Sequence, residues 1–167
     1  MSVPDTLPAP RCAAKVATTG DALARIRQLA RPIVFTNGVF DVLHRGHVTY
    51  LDHARALGAS LVVAVNSDES VRRLGKGPGR PLNPLEDRMA VLAGLAAVDL
   101  VVAFDADTPR DLIVCCLPDV LVKGADYTAE TTAGAAEVIA AGGRFAAIPF
   151  ASAHSTSALV EKVRAAT

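Results

Sequence analysis

The sequence predicts an α/β fold: a Rossmann-like, doubly wound five-stranded parallel sheet with helices on both faces. Three observations predict it. Short β-rich apolar runs alternate with longer stretches of helical spacing from residue 32 onward, and parallel neighbours need crossover helices of that kind. The run LVVAV within LVVAVNS (61–67) is continuously apolar, as a strand covered on both faces is. Polar and glycine residues gather just after the strands, at Thr36 to Asp41, Asn66-Ser67-Asp68, Lys123 to Tyr127 and Ser152 to Ser157. That edge is where such sheets bind ligands.

The elements follow in order. Residues 1–18 are rich in Pro, Ala and Thr without periodicity and read as a loosely ordered arm. TTGDALARIRQLA places cap-type residues ahead of Ala22, Leu23, Ile26 and Leu29, a short helix that Pro32 closes. PIVFTN is a strand, and GHVTYLDHARALGA is a helix ending at Gly58. LVVAVNS is the second strand. NPLEDRMAVLAGL is a helix with Pro84 near its start, and DLVVAF is the third strand. TPRDLIVCCL is a helix with Thr108 as cap and Pro109 in its first turn. DVLVKG, TTAGAAEVIAAGG, RFAAIPF and STSALVEKVRAA then read strand, helix, strand and final helix.

Composition narrows the function classes. A chain of 167 residues supports one core, and 51% hydrophobic content with 4% aromatic builds it from Ala, Val and Leu. Lys plus Arg equals Asp plus Glu at 17 each, so no basic footprint favours nucleic acid or anionic lipid. Cys12, Cys115 and Cys116 are too few and too badly placed for a disulfide framework, which suits a reducing cytosol. The first twenty residues lack an apolar signal region, and no window reads as a membrane span, so the expectation is a soluble cytoplasmic protein.

The sharpest signal is FTNGVFDVLHRGH (35–47). Asn37-Gly38 permits a tight turn, the amides that follow can face an anion, and a helix beginning near Gly46 adds its positive end. This is a phosphate seat that matches neither a Walker loop nor a GxGxxG turn. His44 and His47 flank Gly46 and can donate to phosphate oxygens, adding charge if protonated. A zinc triad with His53 does not converge, because His53 lies about 120° around the helix from His47.

Other strand ends add to the edge. Asn66, Ser67 and Asp68 suit ribose or base edges, or serve only as a turn and helix cap. The segment RRLGKGPGRPLNP, with Arg72, Arg73, Lys76 and Arg80, reads as a loop that closes over a polyphosphate or simply covers surface. Arg88 points back into the crevice or lies on a solvated charged face. Lys123, followed by Gly124 and Asp126, reads as a ligand-binding cation. Ser155 and Thr156 cap the last helix and offer a phosphate site as well.

As an ordered set, TNGVFDVLHRGH, AVNSDES, RPLNPLEDR, VKGADY and the terminal STS resemble the HxGH nucleotidyltransferases, and within them the adenylyltransferases that make ADP-heptose from heptose 1-phosphate. The resemblance runs from about Arg31 to the end. It implies residues 1–30 as an arm with a short helix and 31–167 as the nucleotidyltransferase domain. It further implies transfer of AMP from ATP to D-glycero-D-manno-heptose 1-phosphate for lipopolysaccharide core synthesis, with Mg2+, in the cytoplasm, by a possible homodimer. In the family's pattern His44 and His47 hold the nucleotide phosphates and stabilise the transition state, with Lys123 joining them as a catalytic group. The backbone of Thr36, Asn37, Gly38, Val39 and Phe40, with Gly46, Asn66, Asp68, Arg88, Ser155 and Thr156, would bind the nucleotide. Lys123, Gly124 and Asp126 would lie near the sugar phosphate or ribose, and Asp41 is a possible metal contact. Phe150 stands where the glycerol- and choline-phosphate cytidylyltransferases have an arginine, which argues against cytidylyl transfer. A glycerol-phosphate type enzyme and a nucleotide-binding module without turnover remain as alternatives.

Overall fold

The computed structural model describes residues 8–18, 20–75, 77 and 79–149. The final helix, Phe150, Ser155 and Thr156 lie outside the described residues, as do Thr19, Lys76 and Pro78. Eleven helices and strands follow a 3-10 turn at Arg11–Lys15: α1 (Ala22–Arg27), β1 (Ile33–Gly38), α2 (Arg45–Arg55), β2 (Ser60–Asn66), α3 (Asp68–Arg73), α4 (Leu85–Ala93), β3 (Leu100–Phe104), α5 (Arg110–Cys116), β4 (Val120–Gly124), α6 (Ala135–Ala140) and β5 (Arg144–Ile148). The strands form one sheet in the order β3-β2-β1-β4-β5, every neighbouring pair parallel. The chain winds outward from β1 to β3 and then returns to β1's other side. The point of reversal, between β1 and β4, opens a crevice at the strands' carboxyl ends.

Alternation of side chains along each strand divides the core in two. Val34, Leu61, Val63 and Val122 pack against Leu51 and Ala54 of α2 and Met89 and Leu92 of α4. Phe35, Val62, Ala64 and Leu121 pack on the other face against Ile26 of α1, Ile113 of α5 and Val138 of α6. Every residue of β2 is buried, as its unbroken apolar run predicts.

Four local expectations are corrected. Residues 11–17 do not hang loose: Val16 bridges Val101, the Ala17 amide donates to the Val101 carbonyl at 2.9 Å, and Lys15 Nζ donates to the Leu95 carbonyl. Arg72 and Arg73 sit on α3 rather than in a loop; Ser67 caps that helix, accepting from the Ser70 amide. Thr108 does not cap α5, which begins after Pro109. The sixth helix starts four residues later than its pattern suggests, because the Thr131 and Thr132 hydroxyls donate to the Thr128 carbonyl and hold a turn there. Among the described residues no helix is long and apolar enough to cross a membrane.

Candidate active site

The seat is built on the end of β1. Thr36 is buried, its hydroxyl 2.8 Å from the Tyr50 hydroxyl of α2; burial pushes the Tyr50 phenol up to about 12, so it stays neutral. The turn comes later than Asn37-Gly38 suggests. Gly38 is still strand, and the left-handed residue is Phe40, with φ of 49°. Gly38 is constrained for a different reason: a Cβ there would lie 3.0 Å from the Phe40 ring, which would have to give by a few tenths of an ångström. Phe40 in turn meets His47 edge-on, with ring centroids 5.4 Å apart.

His44 is the N-cap of α2, its Nδ1 accepting from the Gly46 amide at 3.1 Å. An accepting Nδ1 leaves the ring proton of the neutral imidazole on Nε2. His47 stacks at a tilt on His44, centroids 4.0 Å apart. Burial first, and the neighbouring His44 second, push His47 down to about 4. His47 is therefore neutral near pH 7, a hydrogen-bonding ring rather than a standing charge. His53 is exposed.

Across the crevice Lys123, from β4, donates to Asn37 Oδ1 at 2.9 Å and lies 4.8 Å from the centre of the Tyr127 ring. Asn37, Gly38, Val39, Asn66 and Lys123 border one cleft of about 250 Å3, on the α5 and α6 face. Its far wall carries Asp107, Thr108 and Thr131. Gly124 is buried in the strand end and Asp126 exposed beyond it. The histidines lie on the α2 face and the lysine on the other, so Asn37 to Val39 form the ridge between two half-sites.

Arg88 does not lie on a solvated charged face but reaches back to the crevice edge, and Asp41 is buried next to it. The Arg88 side chain is fully buried beneath the edge, its guanidinium donating to the carbonyls of Asn83, Val39 and Asn66 and to the Asp68 carboxylate. Asp41 is buried too; its carboxylate accepts from Arg80 and from the amides of Leu82 and Asn83. Asn66 spends its amide group on the Ser70 hydroxyl. Arg73 reaches Asp105 and Asp107 on the β3 side. Among the described residues no group of three or more His, Cys, Asp or Glu forms a metal cage. Sequence reasoning missed Tyr50 and Asn83. The first had a signal, lying one helical turn beyond His47 on the inward face; the second had none.

The switch-point crevice is thus ridged by a turn of backbone amides, with a histidine pair on one side and a lysine on the other. A family model described as cytidylyltransferase-like matches residues 35–161, and the chain belongs to that family. It is 55% identical over 156 residues to the D-beta-D-heptose 1-phosphate adenylyltransferase of Bordetella bronchiseptica, covering 92% of this chain and 96% of that one. It is 55% identical to the bifunctional protein HldE of Vibrio atlanticus, covering 86% of this chain but spanning only 30% of the longer protein. Among solved structures, a lipopolysaccharide core biosynthesis protein from Thermoplasma volcanium superposes with a TM-score of 0.59 at 27% identity, over 73% of this chain and 98% of that one. Pantothenate synthetase from Thermus thermophilus superposes over 81% of this chain and 61% of that one, with a TM-score of 0.53 at 20% identity, a likeness of fold.

Proposed function

We propose that this protein transfers AMP from ATP to D-glycero-D-manno-heptose 1-phosphate, the β anomer, yielding ADP-heptose and pyrophosphate for lipopolysaccharide core synthesis. The observation that carries this reading is the near end-to-end alignment with the Bordetella relative, whose name states that activity. The site supplies a fitting mechanism. A sugar-phosphate oxygen attacks the α-phosphorus of ATP, and the bond from that phosphorus to the oxygen bridging it to the β-phosphorus breaks. A phosphate monoester is already an anionic nucleophile, so positioning and charge stabilisation suffice. His44 and His47 donate to the phosphate oxygens on which charge develops. Lys123, beside the cleft on the opposite flank of Asn37, holds the acceptor phosphate, and the cleft receives the sugar. Gly124 and Asp126 meet the ribose.

The two carboxylate oxygens of Asp41 are already engaged, which does not favour it as a metal ligand. Mg2+ enters as part of the substrate, on the ATP phosphates, where it offsets their charge. Residues 31–167 form the catalytic domain in this reading, with 1–30 as its support; the enzyme works in the cytoplasm, where ATP is, and as a homodimer. The test is pyrophosphate release with Mg2+, crossing ATP, CTP and GTP against both anomers of heptose 1-phosphate, glycerol 3-phosphate and no acceptor. Release with ATP and the β anomer alone is expected; equal release with CTP or glycerol 3-phosphate would overturn it.

A further inference from the structure

The Phe40 turn is bracketed on both sides by one hydrogen-bonded circuit. Arg88 Nη1 donates to the Val39 carbonyl at 2.7 Å, and Asn83 Nδ2 donates to the Asp41 carbonyl at 2.6 Å. The circuit closes on itself, since Arg88 Nε donates to the Asn83 carbonyl at 3.0 Å and the Asp41 carboxylate takes the Asn83 amide at 3.0 Å. Residues 39 and 41 are thus both fixed, and residue 40 between them is held left-handed, a conformation that a non-glycine residue keeps only where its surroundings over-determine it. Arg88 also ties in the end of β2 through Asn66 and Asp68.

We propose that Arg88 is the positioning residue of the phosphate seat: with Asn83 and Asp41 it holds the Phe40 turn, and through the Phe40 ring it sets His47, without itself touching the nucleotide. A guanidinium has five N–H donors, and four hydrogen bonds to protein already occupy this one, inside a side chain with no exposed surface. Little is left to offer a phosphate. The consequence reaches catalysis through one contact chain, because the Phe40 ring lies against both Gly38 of the ridge and His47. This inference rests on the adenylyltransferase reading only for the rate it affects.

Two variants of the full chain test it, Arg88→Lys, whose point-like ammonium cannot span four acceptors, and Asn83→Ala, which removes one exposed link. Four quantities are read: the Kd for ATP with Mg2+ by calorimetry, kcat and KM from pyrophosphate release, thermal unfolding, and the titration of the His47 imidazole by 15N NMR. Arg88→Lys should lower kcat about tenfold or more, leave the ATP Kd within about threefold, and move the His47 titration up towards the ordinary histidine value. Asn83→Ala should shift kcat and the titration the same way by less, and it decides the matter if Arg88→Lys fails to fold. An ATP Kd weakened tenfold with His47 unmoved would make Arg88 a nucleotide ligand. Folded variants with kcat and His47 both unmoved would reduce it to a strut. A wild type silent with every acceptor would remove the proposed reaction, while the Kd and the His47 titration would still decide the clamp.

Discussion

His47 shows how one side chain serves two states. Burial and the adjacent His44 keep it neutral near pH 7, and in the proposed reaction a phosphate beside it would oppose the second influence by placing negative charge against it. His47→Ala should therefore lower kcat by more than about tenfold with the unfolding temperature little changed; an unchanged rate in the folded variant would remove the histidine from the mechanism. Stability follows with a definite sign. The folded ring binds its proton only near pH 4, the unfolded one near 6.5, so between those values the unfolded state carries more protons. Unfolding free energy should fall as pH drops from 6.5 towards 4, with no contribution above that window. In His47→Gln that decline should be shallower, as read from urea midpoints above and within the window.

Elements were legible where periodicity was long and illegible where a few hydrogen bonds set the boundary. All five strands lie within a residue or two of their expected places, since continuous Val, Leu and Ala runs have few alternatives. The third helix escaped notice because six residues carry no usable period. Its signature was charge, with Asp68 and Glu69 in the first turn and Arg72 and Arg73 in the last, which complements the helix dipole. The helix expected to close at Gly58 ends three residues sooner, at Arg55, and what requires glycine at 58 is spatial. A Cβ at Gly58 would meet the Pro32 carbonyl oxygen at 2.5 Å and Val34 Cγ2 at 2.7 Å. Backbone on one side and a buried strand residue on the other cannot yield cheaply. Gly58→Ala should cost about 2 kcal/mol or more in denaturant unfolding, whereas alanine at the open Gly142 would be strained only through its φ.

At the scale of the molecule, the doubly wound sheet and the polar residues at its strand ends were visible in sequence because hydrophobic runs and turn residues are local signals. The histidines, Asn37 and Lys123 stood out for the same reason. The clamp did not: Glu86-Asp87-Arg88 reads like any charged helix start, and only the folded chain reveals that the arginine turns inward beneath three segments far apart in sequence. The amino-terminal segment was misread similarly, since Pro, Ala and Thr hide a β-bridge. Its position suggests its use. β3 is an edge of the sheet, and an uncovered edge strand is a template for pairing with other chains; Val16 and Ala17 cover part of it at Val101. Removing residues 1–20 should expose that edge and the packing beneath it, lowering the unfolding temperature by about 3 °C or more and raising light scattering on warming. The proposed phosphate ridge lies at β1 and β4, beyond β2, so pyrophosphate release measured before aggregation should stay within about twofold of the full chain. A lost rate without any rise in scattering would instead make the arm part of the active site.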